Sequence, residues 1–253
     1  MLKTRVIPTL TLRGGRLVKT RGFGAARDVG DPVKAPMVYD AQLADELVYL
    51  DLDASREGRS IERVEAAVER IAGECFMPLT AGGGVREIEH VRRLLLAGAD
   101  KVAMNSGALE RPQLIADAAL RFGRQCVVVA IDARGAAPGP WRAWTHGGTR
   151  DTGLDAVEWA RRAVTVGAGE ILLTSIDRDG TMSGYDLDLV RAVANAVDVP
   201  VIASGGAGKP QDLVDALRLG GAAAVAAASL FHFTDQSPIK AKAYLRRAGI
   251  AVR

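Results

Sequence analysis

An internal repeat of about 123 residues constrains the fold of this chain more than any other feature of its sequence. The segment 82–106, "GGGVREIEHVRRLLLAGADKVAMNS", aligns with the segment 205–229, "GGAGKPQDLVDALRLGGAAAVAAAS", at an offset of 205 − 82 = 123 residues. A second pair, "ELVYLDLDASREG" from Glu46 and "EILLTSIDRDGTM" from Glu170, is offset by 170 − 46 = 124 residues. This self-similarity indicates that one supersecondary unit occurs twice in tandem.

Each copy contains four short apolar runs that are separated by amphipathic stretches. Segments such as "IERVEAAVERIAG" and "DAVEWARRAVTVG" have the period of a helix and end in Gly, the usual C-terminal cap of a helix. The runs that we predict to be strands are "RVIPTL", "ELVYLDLD", "MPLTAGG", "KVAMN", "CVVVAID", "EILLTSID", "PVIASGG" and "AAVAAAS". Eight strands, each followed by a helix, in 253 residues are typical of a (β/α)₈ barrel.

The repeat also favours closure of the sheet. Two four-stranded halves would each leave open edges, and pairing those edges closes a barrel. We therefore predict an α/β fold, a single (β/α)₈ TIM barrel over residues 1–253, built from two homologous half-barrels of about 1–122 and 123–253. A doubly wound open sheet is the alternative, because periodicity alone does not show closure.

The composition argues against several classes of function. The net charge is +3, from 33 basic and 30 acidic residues spread along the chain, which gives no support for a nucleic-acid partner. No apolar run reaches 18 residues, so we expect no membrane span, and the N-terminus lacks the features of a signal peptide. Cys75 and Cys126 have no partner motif and are expected to be buried thiols in a cytoplasmic protein.

The three histidines do not suggest a metal site. His90, His146 and His232 are widely separated and show no metal-ligand spacing, so we expect neither a metal nor another cofactor. His90 lies in a helix that is rich in arginine, and we expect it at the surface.

Glycines and serines recur at the predicted C-terminal ends of the strands, where such barrels hold their active sites. A strand that runs into glycines and then a helix presents backbone N–H groups that favour an anion, and serines add hydroxyl donors. Because the motif occurs twice, we predict two phosphate sites on opposite sides of the barrel mouth; the alternative is that the glycines only permit tight turns. The predicted phosphate-binding residues are Gly83, Gly84, Asn105, Ser106, Asp179, Gly180, Ser204, Gly205, Gly206 and Ser229.

Four charged residues stand at the N-terminal starts of predicted strands. They are Arg5, Glu46, Lys101 and Glu170. Two cations and two anions there would form a neutral ring of salt bridges across the barrel floor. The alternative is ordinary surface charge, which contributes little to stability.

Several motifs together resemble the HisF family, the cyclase subunit of imidazole-glycerol-phosphate synthase. They are "VVVAIDAR", "GAGEILLTSIDRDGT", "SGYDLDLVRAV", "VIASGGAGK" and "SLFHF", and the resemblance covers nearly the full length. It implies that a separate, HisH-like glutaminase docks at the barrel floor and releases ammonia. The ammonia would pass a charged gate, follow the barrel axis and react with a bis-phosphorylated, nucleotide-derived substrate at the mouth.

The resemblance also implies roles for individual residues. The four charged strand starts fall on the gate positions of the family. Asp100, in "GADKV", falls on a position at the glutaminase interface. Lys19, in "GRLVKT", falls in a mobile first loop that helps to close the site.

The catalytic positions depart from the family. HisF proteins use two aspartates, on strands one and five, as paired general acid and base. Asp132 matches the aspartate of strand five, but Thr11, in "PTLTLR", stands at the place of the aspartate of strand one. A threonine hydroxyl does not ionise near neutral pH, and losing a positioned acid–base group typically costs about 10²–10⁴-fold in rate. We therefore expect impaired cyclase activity.

Other segments resemble a paralogous branch of the family that is found with bacterial surface-sugar genes. They are "LVYLDLDASREGRSIE", which contains Asp53, and "AGECFMPLTAGGGVR". The resemblance implies supply of ammonia for an acetamidino group on a nonulosonic or uronic acid sugar, as in O-antigen, with an ATP-dependent third protein. We expect this function first; the alternatives are the cyclase of histidine biosynthesis and a binding barrel without a role in ammonia transfer.

Overall fold

The computed structural model describes residues 3–253. The strands in this range are β1 (Arg5–Arg13), β2 (Arg16–Thr20), β3 (Ala26–Gly30), β4 (Leu47–Asp51), β5 (Leu79–Gly82), β6 (Lys101–Met104), β7 (Val127–Arg134), β8 (Arg142–Thr145), β9 (Arg150–Asp155), β10 (Glu170–Ser175), β11 (Val201–Ser204) and β12 (Ala224–Ala227). The helices are α1 (Lys34–Ala41), α2 (Glu62–Ala72), α3 (Ile88–Leu96), α4 (Ser106–Glu110), α5 (Gln113–Phe122), α6 (Ala156–Val166), α7 (Leu187–Ala194), α8 (Pro210–Arg218), α9 (Ser229–Phe233) and α10 (Pro238–Arg247).

Eight of the strands close into a parallel barrel. Their order is β1–β4–β5–β6–β7–β10–β11–β12, and β12 pairs with β1 in parallel, with Arg5 opposite Ala224. The predicted (β/α)₈ TIM barrel is confirmed, and the alternative of an open sheet is wrong. Closure puts all strand C-termini at one mouth and all strand N-termini at one floor.

The barrel strands are almost continuously apolar because both of their faces are buried. Side chains alternate along each strand, so Val6 packs outward against the helix layer and Ile7 packs inward. The inward layer lines the axis with Ile7, Val48, Ala103, Val128, Ala130, Leu172, Ile202, Ala224 and Ala226. The barrel interior above the floor is therefore apolar.

The two copies of the repeat form corresponding elements. An antiparallel hairpin follows the first strand of each copy, β2–β3 after β1 and β8–β9 after β7. The short helices α4 and α9 both begin at a serine, and Gly83 and Gly206 have nearly equal φ angles of 114° and 113°. The half-barrel boundary near residue 122 stays a prediction.

A buried ion pair fastens α10 beneath β1. Lys242 Nζ donates to Asp45 Oδ1 at 2.6 Å and to the carbonyl oxygen of Leu43 at 3.0 Å. Asp45 Oδ2 accepts the backbone N–H of Val6 at 2.9 Å. Lys242 and Asp45 are both buried, so the removal of either one would leave the other as an uncompensated buried charge.

None of the helices in residues 3–253 combines the length and the apolar character that crossing a membrane requires.

Two lysines of α10 allow a matched test of the buried pair. We expect Lys242→Met to lower the free energy of unfolding by about 3–5 kcal/mol, because it leaves the Asp45 carboxylate buried without its cation. Lys240→Met removes an ion pair with Asp235 whose two side chains are exposed, so its cost should stay within about 1 kcal/mol. Urea unfolding of both variants measures the difference; equal costs would contradict the assignment.

Candidate active site

The barrel mouth holds a cavity that is lined by both halves of the chain. Its lining includes Thr11, Asp132, Ser106, Ser229 and the glycines that follow β5 and β11. β1 and β7 lie opposite each other in the barrel order, so Thr11 and Asp132 face the cavity from opposite strands. The residues predicted for chemistry and those predicted for phosphate binding thus share one space.

Asp132 is the one cavity carboxyl that no cation neutralises among the described residues. Its Oδ2 accepts the Asn105 side-chain N–H at 2.7 Å, and no basic side chain contacts it. Burial deep in the barrel raises the pKa of Asp132 to about 7; the Asn105 hydrogen bond opposes the rise and the negative charge of Asp179 adds to it. A carboxyl with this pKa is populated in both protonation states near neutral pH, which suits a general acid or base.

Thr11 cannot replace a second carboxyl. Its side chain is buried at the cavity wall, and its hydroxyl donates to the carbonyl oxygen of Val18 on β2. The only proton of the hydroxyl is therefore committed to the backbone, and Thr11 can offer the cavity only lone pairs.

The two other carboxyls at the cavity wall are neutralised by cations. Asp51 accepts from Arg59 at 2.8 Å, as well as from two backbone N–H groups that follow it. Asp179 accepts from Lys19 Nζ at 2.6 Å and from the Thr20 hydroxyl at 3.1 Å. The cation beside each of these carboxylates distinguishes them from Asp132, which has none.

Asp53 is also held by cations. It lies 3.2 Å from Arg13 Nε and 2.9 Å from an Arg56 nitrogen, and it does not line the cavity. This carboxylate therefore does not compensate for Thr11.

The role of Lys19 in closing the site stays a prediction. Lys19 lies in the hairpin that connects β1 to α1. It belongs to β2, which pairs with both β1 and β3, and its side chain is buried in the ion pair with Asp179. The same geometry does not favour phosphate roles for Asp179 and Gly180. A carboxylate repels phosphate, and Gly180 packs so closely on Thr20 that an added Cβ would lie 2.2 Å from its carbonyl oxygen. This segment instead holds the β2–β3 hairpin over the mouth.

The glycine loops present unbonded N–H groups to the cavity. Gly83, Gly84 and Val85 line it in the first half, and Gly205, Gly206 and Ala207 line it in the second. Among the described residues, none of these N–H groups has a protein acceptor. Such a run of free donors favours an anion.

The serines differ between the halves. Ser229 Oγ is buried with no hydrogen-bond partner, whereas Ser106 Oγ accepts the backbone N–H of His146 at 3.0 Å. Ser204 is half-buried at the cavity wall beside the second glycine loop. The helices α3 and α8 begin only at residues 88 and 210, so the helix starts nearest to the cavity are those of α4 and α9, at the two serines.

Packing alone requires glycine in both loops. A Cβ on Gly83 would lie 2.6 Å from the carbonyl oxygen of Asp51, and a Cβ on Gly206 would lie 2.2 Å from that of Gly184. Both residues also have a positive φ, which side chains disfavour. The phosphate prediction therefore depends on the free N–H groups and the serines and gains nothing from the glycines themselves.

Asn105 serves Asp132 and is not favoured as a phosphate ligand. Its two amide protons go to Asp132 and to the carbonyl oxygen of Trp144, the latter at 3.2 Å. Its remaining polar atom, Oδ1, is an acceptor and would repel an anion. No sequence pattern indicates this arrangement, since it depends on the β8–β9 hairpin folding back over β7.

The four charged strand starts meet at the floor in a closed ring. Arg5 contacts Glu46 at 2.6 Å and also contacts Glu170, and Lys101 contacts Glu46 at 3.0 Å and Glu170 at 2.8 Å. Each cation therefore touches both anions. Burial alone would raise the pKa of Glu46, but Lys101 and Arg5 outweigh it and hold the pKa below its ordinary value.

Two exposed apolar side chains lie at this floor. Phe76 and Leu43 lie in loops that lead into β5 and β4, and they are 91% and 65% exposed. Asp100 is exposed just before β6, and its carboxylate accepts the Leu79 N–H at 2.8 Å. Exposed apolar side chains at one end of the barrel make this floor a candidate protein-interaction surface.

The expectation that His90 lies at the surface is wrong. It is only 9% exposed, because it lies on the buried face of α3 together with Leu94, four residues later. That spacing was the signal available in the sequence. Within the described residues, no group of His, Cys, Asp and Glu side chains is arranged to hold a metal ion.

The closed barrel, its paired glycine–serine loops and its charged floor define a repeat-built (β/α)₈ protein with a cavity at its mouth. A family model described as "Histidine biosynthesis protein" matches residues 5–237. Two curated relatives, each named "Imidazole glycerol phosphate synthase subunit HisF", come from the Caulobacter vibrioides strains NA1000 / CB15N and ATCC 19089 / CIP 103742 / CB 15. Each is 56% identical over 254 residues, which cover 100% of this chain and 97% of the relative. The chain belongs to the HisF family.

The raised pKa of Asp132 has a consequence for stability. The unfolded chain loses this proton near pH 3.8 and the folded chain near pH 7, so the folded state is progressively penalised as the pH rises between these values. We expect the free energy of unfolding of Asp132→Asn, relative to that of the unmodified protein, to rise between pH 4 and pH 7. Above pH 7 the difference between the two proteins should stay constant. Chemical denaturation at pH 4.5, 6 and 8 measures this gap; a gap that does not change with pH would contradict the assignment.

Proposed function

We propose that this chain is the synthase subunit of an imidazole-glycerol-phosphate synthase, which takes up ammonia at the barrel floor and uses it in a cyclisation at the mouth. The observation that carries the proposal is the alignment of two centres on one barrel axis. The ring of Arg5, Glu46, Lys101 and Glu170 lies at one end, and the unneutralised Asp132 lies at the other. The full-length identity of 56% to proteins named as this subunit supports the same function.

The axis between the two centres suits a small neutral molecule. Its lining is apolar, and four of its members are alanines: Ala103, Ala130, Ala224 and Ala226. Apolar walls impose a desolvation cost on an ammonium ion but not on neutral ammonia. The ring would then act as a gate, because its contacts must open for any passage.

The apolar floor surface supports docking of a glutaminase. Phe76 and Leu43 supply exposed apolar area beside the ring, and Asp100 supplies a charge at its edge. A partner seated there would release ammonia directly over the ring and exclude bulk water.

The mouth supports a ligand with a phosphate at each end. The free N–H groups after β5 and after β11 lie on opposite sides of the cavity that contains Asp132. Two anchored phosphates would hold the reacting centre of the ligand over the axis. Asp132, with its pKa of about 7, would then exchange protons with the forming ring.

Thr11 is the specific observation that supports the surface-sugar branch as a second candidate. A subunit that only delivers ammonia needs the gate and the axis but not the second carboxyl. The acetamidino sugar and the ATP-dependent third protein stay predictions, as does the cytoplasmic location; the relatives are named for the histidine-pathway enzyme, and we rank that function first.

Restoring the missing carboxyl tests the assignment of the mouth. We expect low ammonia-dependent cyclase turnover in the unmodified protein, and a gain in Thr11→Asp that recovers part of the roughly 10²–10⁴-fold cost of a lost acid–base group. Steady-state kinetics with ammonium salts and the bis-phosphorylated synthase substrate measures it. Asp132→Asn should abolish turnover in both backgrounds. High turnover that Thr11→Val leaves unchanged would show that one carboxyl suffices, and the impairment would be disproved.

The floor can be tested separately from the chemistry. We expect Phe76→Glu to weaken binding of the HisH-like glutaminase from the same organism by at least about tenfold, because it places a charge in the apolar surface around the ring. Leu154→Glu is the matched control, since Leu154 is an exposed apolar residue on the hairpin at the mouth. Titration calorimetry measures both. Equal effects of the two substitutions would argue against docking at the floor.

A further inference from the structure

The two glycine loops are held by different side chains. In the second half, Asp212 Oδ2 accepts the N–H of Gly208 at 2.8 Å and of Lys209 at 3.0 Å, at the start of α8. The residue that corresponds to Asp212 at the 123-residue offset is Glu89. Its carboxylate instead accepts from Arg92 at 2.8 Å at the surface of α3. The first loop therefore lacks the carboxylate that holds the second.

In the first loop the imidazole of His90 accepts the backbone N–H that corresponds to the one Asp212 accepts from Lys209 in the second. Its Nδ1 accepts the backbone N–H of Arg86 at 3.3 Å. Nδ1 must be unprotonated to accept, so in the neutral ring the proton lies on Nε2. Nε2 is 3.0 Å from Ser60 Oγ and 3.1 Å from Glu87 Oε1, which both accept a proton. Contacts at both nitrogens thus fix the orientation of the imidazole.

His90 in this way joins two loops of the mouth. Ser60 precedes α2, and its carbonyl oxygen is packed so closely on Gly84 that an added Cβ there would lie 2.7 Å away. Arg86 follows the glycines on the way into α3. The imidazole hydrogen-bonds to both Ser60 and Arg86. It therefore fixes the loop that packs against Gly84 and the segment that follows Gly84 in the chain.

The exchange of a carboxylate for an imidazole changes what the loop presents to a ligand. Asp212 occupies two N–H groups, whereas His90 occupies only one. Consequently the N–H of Val85 has no protein acceptor, while that of Gly208, its counterpart, is bonded. Val85 lines the cavity and Gly208 does not. Each loop therefore has three free donors, but in the first loop they are Gly83 to Val85, one repeat position later than Gly205 to Ala207 in the second.

We propose that His90 is a positioning residue of the first glycine loop, which it holds through the Arg86 N–H so that the N–H groups of Gly83, Gly84 and Val85 bind a phosphate group. The inference rests on the proposed phosphate sites and adds the side chain that shapes one of them. The binding energy comes from the backbone donors, and His90 acts on it only through their arrangement.

The test is a titration of the amide N–H signals with inorganic phosphate, followed by NMR in the ¹⁵N-labelled full chain. Signals of Gly83 and Gly84 report the first loop, and those of Gly205 and Gly206 report the second. We expect His90→Leu to weaken phosphate at the first loop by about tenfold and to leave the second unchanged. His90→Asn, whose Oδ1 takes the place of Nδ1, should stay within about threefold of the unmodified protein. Asp212→Ala is the mirror control and should weaken the second loop alone.

The possible results separate the inference from the function on which it rests. Phosphate shifts at the first loop that are equal in His90→Leu and the unmodified protein would overturn the role of His90 but leave the site intact. Equal weakening of both loops by His90→Leu would reveal a general loss of structure and would also overturn it. Absence of phosphate binding at the first loop of the unmodified protein would remove both the site and the inference.

Discussion

The pairing of β12 with β1 is the constraint on which the other features of this molecule depend. Those few parallel hydrogen bonds turn two four-stranded units into a ring with one mouth and one floor. Without them, Thr11 and Asp132 would lie at distant places in an open sheet, and the two glycine loops would not face a common space. The floor ring depends on closure in the same way, because its four members begin strands from both halves.

The carboxylates at the two ends of the barrel differ in how far cations neutralise them. At the floor, two anions and two cations alternate, so each buried glutamate contacts both cations. At the mouth, Asp51 and Asp179 each have a cation, whereas Asp132 has only an amide donor. A buried carboxyl without a cation costs stability, and active sites commonly retain such costs where a proton must move.

The sequence was sufficient for the features that follow from local pattern and from the repeat. Apolar runs gave the eight barrel strands, the repeat gave closure, and charged residues at strand starts gave the members of the floor ring. Contacts between distant loops were not predictable. Lys19 and Asp179 are 160 residues apart and meet because a hairpin folds over the mouth, and no periodicity encodes that fold. The contact of Asn105 with Trp144 was not predictable for a similar reason, since the strand that approaches Asn105 belongs to the other half. His90 was predictable in part, from its place four residues before Leu94.

The ion pair between Asp45 and Lys242 has a consequence for the order in which the chain is made. Its partners are 197 residues apart, and β1 meets its second neighbour only when residues 224–227 have been synthesised. During translation the first strand therefore leaves the ribosome long before the strand and helix that complete its surroundings. Through that interval one edge of β1 has free backbone groups, and such edges pair readily with other chains. The last helix to be synthesised fastens the first strand, so a chain truncated before residue 242 would lack this link between its two ends.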